Sequence, residues 1–315
     1  MSQSHSSKER NDKVAAVAVV GGTHGNELTG VHLVKHWQKL QRENNFLSEH
    51  HPSLQIEMLI ANESAIKANK RYLDKDLNRC FQISELANSD NNNQEQLLAK
   101  QINGLLGPKG DARVDFIIDL HTSTANMQTN IVLIKLDRFH LLLAAFLKSA
   151  LPNVVITSET NLMQDHHFLC SIAKKSIVIE VGPIAQGSLD WNIFNKTQAA
   201  LLKTLEFVEA YNKNDLGALD LPSHLEVMSY FDKCYFPLND AGEINACVHP
   251  SLIHKDFSEI SSGDPLFKTF SGEDVLYEGR DAHIAFVNEA AYYDQKIALC
   301  LCNPITHDLN TLAPE

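Results

Sequence analysis

The stretch VVGGTHGNELTG, Val19–Gly30, joins a strand-like run to a helical pattern. The residues before it, KVAAVAVVGG (13–22), are rich in valine and end in glycines, which predicts a buried parallel strand. Apolar residues at helical spacing follow in LTGVHLVKHWQKL (28–40) and predict a helix. The turn between them holds His24 and Glu27, three residues apart. This pair could bind a metal ion or form an ordinary polar turn.

Strands and helices alternate outward from this stretch. The strand-like runs are short, apolar and rich in β-branched residues, whereas the helix-like runs repeat apolar residues every three or four positions. Such alternation is typical of an α/β fold with a mostly parallel sheet and helices on both faces. Further strands are predicted at 54–62, 114–121, 129–136 and 176–183, and further helices at 94–107, 139–151 and 195–212.

The sequence pattern changes after about residue 215. Prolines and glycines recur there among short runs of Val, Ile, Phe and Tyr, which indicates strands joined by turns. We expect a boundary near 212–223, with an α/β domain at 13–215 and a smaller β-rich C-terminal domain at 216–315. The polar residues 1–12 are expected to form a flexible tail.

Composition excludes several classes of function. The chain has 315 residues, a net charge of −12 and 44% hydrophobic residues. It lacks the clustered Lys and Arg of a nucleic-acid-binding protein, and no apolar run approaches the ~20 residues of a membrane span. The first residues lack the apolar core of a signal peptide. None of the six cysteines forms a CxxC pair, which favours reduced thiols and a cytoplasmic protein.

Ionisable residues gather where the predicted strands end. Functional groups of an α/β sheet lie at the carboxyl ends of its strands. The first strand ends at His24 and Glu27, and the third ends at Asp119 and His121. Glu180 lies at the end of a later strand. We therefore expect these side chains to share one rim of the sheet.

Two histidines and one carboxylate with an open fourth position are typical of a catalytic zinc site. His24, Glu27 and His121 supply this set, which suits one Zn²⁺ per chain and a bound water whose pKa is lowered towards ~7. Asp119, two residues before His121, could orient an imidazole, although a lysine or a backbone amide would be an equally suitable partner. An isolated H-x-x-E occurs often by chance, so the D-x-H on a second strand is what favours a metal.

Three further groups each have two interpretations. Glu180, inside the apolar run IVIEVGP, is costly to bury unless it is paired or functional; it is either a general base or the ion-pair partner of a helix. Arg71 and Arg79, in NKRYLDKDLNRCF (69–81), are either surface charges or substrate ligands. Asn78 and Arg79 together would suit a carboxylate, which a guanidinium binds through two parallel hydrogen bonds.

Five blocks occur in order along the chain: GGTHGNE, RYLDKDLNR, DLHTSTANM, IEVGP and FVNEAAYY. Together they resemble the aspartoacylase family of zinc-dependent amidohydrolases, which are related to carboxypeptidases and succinylglutamate desuccinylases. The resemblance extends from Val14 to about Lys296. It implies a carboxypeptidase-like catalytic domain at 13–215, with the C-terminal domain at 216–315 covering the substrate channel. It also suggests a homodimer.

The resemblance implies a role for each candidate residue. His24, Glu27 and His121 would be the zinc ligands. Glu180 would be the general acid/base, and Arg71 would polarise the scissile carbonyl and stabilise the oxyanion.

The same resemblance implies how the substrate is held. Asn78 and Arg79 would hold its α-carboxylate. Tyr292 would reach that carboxylate from the C-terminal domain, and Lys296 would add positive charge at the channel. The reaction would be amide hydrolysis, in which an N-acyl-L-amino acid and water give a carboxylate and a free amino acid.

The chain departs from the family pattern where the substrate side chain would bind. In members that prefer N-acetylaspartate, an arginine precedes the SIAK segment and a tyrosine lies four residues earlier; here these positions hold Cys170 and His166. A cysteine thiol cannot supply the two charged N–H donors with which an arginine binds a carboxylate. N-acetyl-L-aspartate, hydrolysed to acetate and L-aspartate, is the first candidate, with His166 or His167 compensating. N-acyl aromatic amino acids or mercapturates, as in the aminoacylase-3 branch, are the alternative.

Two other functions compete with amino-acid deacylation. A carboxypeptidase-type peptidase is disfavoured because the C-terminal domain would exclude peptides from the channel. A non-catalytic binding protein is disfavoured because the three ligands and the base are all present in the sequence.

Overall fold

The computed structural model describes residues 13–160 and 165–312. The predicted tail at 1–12 lies outside the described residues. The strands and helices predicted before residue 215 are all present, with ends that differ from the predicted ones by a few residues. The sequence pattern missed one strand of the main sheet, Val154–Ser158, because it directly follows a long helix and spans only five residues.

Thirteen strands occur among the described residues. They are β1 (Ala16–Gly21), β2 (Gln55–Ile60), β3 (Phe116–Thr122), β4 (Gln128–Leu133), β5 (Val154–Ser158), β6 (Lys175–Gly182), β7 (His224–Tyr235), β8 (Ala246–Val248), β9 (Glu259–Ile260), β10 (Pro265–Thr269), β11 (Asp274–Leu276), β12 (Ala282–Ala285) and β13 (Ile297–Asp308).

Seven α-helices connect them, together with several short 3₁₀ turns. They are α1 (Leu28–Asn44), α2 (Phe46–His50), α3 (Glu63–Ala68), α4 (Ile83–Ala87), α5 (Gln94–Leu106), α6 (Arg138–Ala150) and α7 (Trp191–Asn212). No helix in the described part of the chain is both long enough and apolar enough to cross a membrane.

Ten strands form one mixed sheet in the order β2-β1-β3-β6-β4-β5-β7-β13-β12-β9. Strands β2, β1, β3 and β6 pair in parallel, whereas β4 is antiparallel to β6. Four of the C-terminal strands continue this sheet, because β7 pairs in parallel with β5 and is followed by β13, β12 and β9 in the strand order. Strands β11, β10 and β8 form a second, antiparallel sheet.

Apolar residues cover both faces of the sheet. Side chains alternate between the two faces along a strand. Val17 and Val19 of β1 belong to the apolar cluster that includes residues of α1, α6 and α7, whereas Ala18 and Val20 belong to the cluster that includes residues of α5. This alternation confirms the predicted placement of helices on both faces. It also fixes the rotation of each strand and therefore the direction in which the residues at its end point.

The turn after β1 depends on close backbone contacts. A Cβ atom at Gly21 would lie 2.4 Å from the carbonyl oxygen of Gly30, at the start of α1. One at Gly25 would lie 2.2 Å from the backbone of Ala65 in α3. Gly22 has a φ of +75°, which glycine adopts without a steric penalty. These glycines hold residues 22–27 tightly against α1 and α3.

We predict that Gly21→Ala lowers the free energy of unfolding by at least about 2 kcal/mol, because the added methyl group overlaps backbone atoms that cannot move freely. Urea denaturation measures the change. The matched control is Gly104→Ala in α5, where the new Cβ meets nothing within 4 Å; this variant should gain about 0.5–1 kcal/mol. Equal effects at the two positions would contradict the argument.

Candidate metal centre and active site

Three neighbouring strands bring the candidate residues to one rim of the sheet. His24 and Glu27 lie in the turn after β1, and His121 is near the end of β3. Glu180, on β6, is directly opposite His121 in the parallel register. The structure places these side chains together at the carboxyl ends of the strands, as the sequence analysis predicted.

The ligating atoms of His24, Glu27 and His121 converge. Their three ligand atoms lie within 4.8 Å of one another, and all three residues are buried. His24 Nδ1 is 2.7 Å from Glu27 Oε1, and His121 Nδ1 is 2.9 Å from Glu27 Oε2. The two Nδ1 atoms are 3.1 Å apart. Two imidazole nitrogens and a carboxylate in one buried cluster are a donor set that fits zinc.

Each histidine also faces a second carboxylate. His24 Nε2 is hydrogen-bonded to Asp76 Oδ1 at 2.9 Å, and His121 Nε2 lies 3.0 Å from Asp119 Oδ2 in an ion-pair contact. Thr23 donates to the other oxygen of Asp119 at 2.8 Å. A carboxylate behind each imidazole leaves Nδ1 free to bind a metal and fixes the orientation of the ring. Asp119 was predicted as a candidate for this contact, whereas Asp76 was not singled out.

Arg71 joins the two carboxylates on one side of the cluster. Its Nη1 donates to Glu27 Oε1 at 3.0 Å, and its Nε and Nη2 donate to Asp76 Oδ2 at 3.3 and 3.1 Å. A guanidinium carries five N–H groups, so two remain for a ligand. Burial disfavours its charge, but Asp76 and Glu27 outweigh that effect and raise its pKa.

The charges of the cluster stabilise one another. Burial by itself raises the pKa of Glu27, but the two adjacent imidazoles outweigh it and the pKa is lowered. Burial alone would lower the pKa of His121, but Asp119 and Glu27 raise it. For Asp76, His24 and Arg71 likewise overcome the effect of burial and lower the pKa. Glu27 and Asp76 are therefore held as carboxylates.

Glu180 has the opposite behaviour. Burial, followed by the negative charge of Glu27, raises the pKa of Glu180 to about 8. Among the described residues it forms no ion pair, so the predicted alternative of a helix cation as its partner has no support. A carboxyl group that lies beside a candidate metal site and whose pKa is near neutrality is suited to accept and return a proton.

A cavity of about 460 Å³ is lined by residues of the α/β half and of the C-terminal strands, and His24, Glu27, His121 and Glu180 are not among its lining residues. Five of its twelve lining residues are Phe or Tyr, and it also carries charged groups from both halves of the chain. The lining residues are Arg79, Glu159, His167, Tyr230, Phe231, Asp232, Lys233, Tyr235, Phe286, Tyr292, Gln295 and Cys300.

The predicted carboxylate-binding residues occupy different positions around this cavity. Arg79 and Tyr292 both line it, and the guanidinium of Arg79 lies 5.4 Å from the ring centre of Phe168. Asn78 is buried, and its Oδ1 accepts the backbone N–H of Leu169 at 2.8 Å. Asn78 therefore positions the 3₁₀ turn that follows Phe168.

The adjacent residues His166 and His167 lie in different surroundings. His167 lines the cavity, and burial followed by the charge of Arg79 lowers its pKa to about 3, so the imidazole is neutral. His166 is buried and lines a different depression beside Lys109. Cys170 is fully buried in the apolar layer between the sheet and α5. Neither His166 nor Cys170 is among the residues that line the larger cavity.

The cation at the cavity mouth is Lys233 of β7. Lys296, which was predicted to add positive charge at the channel, follows the 3₁₀ turn Ala290–Gln295 with a φ of +60° and joins it to β13. Gln295, one residue earlier, lines the cavity instead. No sequence pattern pointed to Lys233, because β7 pairs with β5 only through the tertiary fold.

Two buried carboxyl groups attach the C-terminal strands to the loop that follows β3. Glu289 accepts hydrogen bonds from the Ser123 hydroxyl and from the backbone N–H of Ala125. Asp256 accepts the backbone N–H groups of Asn126 and Val287, at 3.0 and 2.9 Å. The loop after the candidate ligand His121 and the segment that carries Phe286 and Tyr292 are thus held as one unit.

Comparison with known proteins gives matches to both halves of the chain. The Succinylglutamate desuccinylase/Aspartoacylase catalytic domain matches residues 13–208, and the AstE/AspA barrel-sandwich hybrid domain matches residues 223–304. A probable aspartoacylase of Trichodesmium erythraeum is 40% identical over 297 residues, covering 92% of this chain and 97% of that protein.

Two animal proteins are also similar. An N-acyl-aromatic-L-amino acid amidohydrolase (carboxylate-forming) of Xenopus tropicalis is 36% identical over 293 residues, covering 90% of this chain and 91% of that protein. The crystal structure of murine aminoacylase 3 superposes with a TM-score of 0.86 at 33% sequence identity, covering 94% of this chain and 97% of the other.

We predict that Asp76→Asn weakens zinc binding by about 10- to 100-fold, because the variant loses the carboxylate that orients the His24 ring. Competition with a chromophoric chelator measures the dissociation constant. Asp90→Asn, at an exposed loop position, is the matched control and should bind zinc as the parent does. An unchanged zinc affinity in Asp76→Asn, with an unchanged unfolding midpoint of the metal-free protein, would contradict this role.

Proposed function

This chain belongs to the succinylglutamate desuccinylase/aspartoacylase family, and we propose that it is a zinc-dependent amidohydrolase that deacylates an N-acyl-L-amino acid. The observation that carries the proposal is the buried convergence of His24, Glu27 and His121, with Glu180 on the adjacent strand. Bound zinc would supply Lewis acidity and a water molecule of lowered pKa. The other steps are assigned to side chains of this chain.

Glu180 is proposed as the general acid/base. Its raised pKa, caused first by burial, suits a carboxyl group that takes a proton from the attacking water and delivers it to the leaving amine nitrogen. Breaking the C–N bond releases the amine, and transfer of the second water proton from the new carboxyl group to the amino group gives a carboxylate and an ammonium group.

Arg71 is proposed to stabilise the oxyanion formed at the scissile carbonyl. Glu27 and Asp76 fix three of its N–H groups, so the guanidinium is already in position before a substrate arrives. A positioned donor of this kind is more effective than one that must reorganise during the reaction.

Arg79 and Tyr292 are proposed to hold the α-carboxylate, since both line the cavity next to the rim. Asn78 supports this site by fixing the chain at Leu169. Lys233 is a more favourable source of positive charge at the cavity mouth than Lys296, because its side chain lines the cavity. His166 keeps only an indirect part in this proposal, through its contact with the neighbouring ring of His167.

The favoured substrate is an N-acyl aromatic amino acid. Five aromatic side chains line the cavity, and such walls bind an aromatic side chain by packing and burial. Similarity to the N-acyl-aromatic-L-amino acid amidohydrolase and to aminoacylase 3 supports this choice. The five residues are Tyr230, Phe231, Tyr235, Phe286 and Tyr292. An S-conjugated amino acid with an apolar substituent would fit the same walls.

N-acetyl-L-aspartate is the second candidate. Arg79 and Lys233 both line the cavity and would offer one cation to each of its two carboxylates. Similarity to probable aspartoacylases also supports it. Against it, Cys170 is buried away from the cavity, and this position supplies no guanidinium to bind the side-chain carboxylate of aspartate.

We predict that Glu180→Gln keeps its zinc but loses turnover by about 1,000-fold, because the amide cannot accept the proton of the attacking water. Elemental analysis of the purified variant gives zinc per chain, and steady-state kinetics gives kcat. The parent protein should hold one zinc per chain. Retention of turnover in the zinc-loaded variant would remove Glu180 from the mechanism.

A substrate panel separates the two candidates. We predict that kcat/KM for N-acetyl-L-tyrosine exceeds that for N-acetyl-L-aspartate by at least about 10-fold, because the aromatic walls favour the larger apolar group. Release of the free amino acid is followed for both substrates at the same pH and zinc content. A preference of similar size for N-acetyl-L-aspartate would establish the second candidate instead.

A further inference from the structure

The aromatic cavity contains one carboxyl group from the α/β half of the chain that none of the proposed steps uses. Glu159 directly follows β5 and lines the cavity. Its backbone N–H donates to the carbonyl oxygen of Leu133, at 3.1 Å, so the residue is attached to the sheet. Glu159 is therefore held at a fixed place in the cavity wall.

The Glu159 carboxyl has no partner of its own. Within 13–160 and 165–312, no side chain forms a hydrogen bond or an ion pair with it. Arg79 and Lys233 act on it only at longer range, and burial outweighs both of them and raises its pKa. Glu159 is half-buried and lines the cavity, so its carboxyl is available to a ligand that binds there.

A second polar group lies near it. The Tyr230 ring lines the same cavity, and its hydroxyl has no hydrogen-bond partner among the described residues. Glu159 contributes to the electrostatic surroundings of both Tyr230 and Tyr292. The cavity thus combines aromatic walls with hydrogen-bonding capacity that the protein itself does not use.

We propose that Glu159 determines substrate specificity by accepting a hydrogen bond from an aromatic side chain that carries a donor, such as the phenol of tyrosine or the indole of tryptophan. The proposal rests on the proposed function and refines its substrate class. Phenylalanine fits the same walls but leaves the carboxyl unpaired. A side-chain carboxylate, as in aspartate, is repelled by the like charge of the ionised Glu159 carboxylate.

Sites that are built to hydrogen-bond a substrate group reject analogues that lack it, because the buried partner is then left unpaired. A hydrogen bond to a charged or strongly polar group changes affinity by about 10- to 100-fold. The parent protein should therefore prefer N-acetyl-L-tyrosine to N-acetyl-L-phenylalanine in kcat/KM by this factor. The preference should arise mainly in KM, since Glu159 contacts the side chain rather than the reacting atoms.

The test compares the tyrosine-to-phenylalanine ratio in three variants. Glu159→Leu removes the acceptor and should reduce the ratio to near one. Glu159→Gln keeps an acceptor oxygen without the charge; it should retain most of the ratio and raise the relative activity on N-acetyl-L-aspartate. Asp232→Asn removes a carboxylate from the exposed cavity mouth and controls for the general effect of charge; its ratio should match that of the parent.

Calorimetric binding of the same two ligands to parent and Glu159→Leu is measured alongside. A binding preference for N-acetyl-L-tyrosine that disappears in Glu159→Leu supports the role of Glu159 even if neither compound is hydrolysed, a result that would overturn only the proposed function. Equal binding of the two ligands by the parent overturns the role of Glu159. So does a ratio in Glu159→Leu that equals the parent's in a folded, zinc-binding variant, whatever the rate of hydrolysis.

Discussion

The buried carboxylate of Glu27 is the group on which the site depends. It is within hydrogen-bonding distance of two imidazoles, a guanidinium and a backbone N–H, from His24, His121, Arg71 and Thr122 respectively. An uncompensated charge at this depth would cost several kcal/mol. The four partners come from three segments, so the charge is compensated only when the turn after β1, β3 and the 69–81 loop are all in place. The glycine-rich turn after β1 allows the close approach that this requires.

The sequence could predict the parts of the site that lie at strand ends. Four candidate residues lie at or just beyond the ends of predicted parallel strands: His24, Glu27, His121 and Glu180. Because those strand ends share one rim of the sheet, predicting the strands was sufficient to place the four residues together. Asp76 could not be found in this way. It lies in a polar loop one residue beyond Lys75 and two beyond Asp74, and no periodicity there distinguishes the acid that faces His24 from the one that does not.

The cavity wall was less predictable because tertiary pairing builds it. The sequence pattern indicated a β-rich region after residue 215, but it did not indicate that β7 would continue the main sheet beside β5. That pairing places Tyr230 and Lys233 opposite Arg79 and Glu159, more than 70 residues away in sequence. Lys296 was predicted from the family resemblance alone, whereas Gln295, one residue earlier, is the one that lines the cavity.

The continuous sheet sets a condition on how this protein can diverge or be recombined. The candidate metal ligands belong to the first 180 residues, whereas most of the cavity wall belongs to β7 and the segments after it. Exchanging the residues from β7 onward between relatives would therefore alter recognition of the substrate side chain and leave the candidate metal ligands unchanged. The condition is that the new β7 still pairs with β5, as Met228 pairs with Thr157 here. A chimera with its junction within 213–223 takes β7 and all later strands from one parent. A junction inside β7 instead divides the cavity wall between two parents.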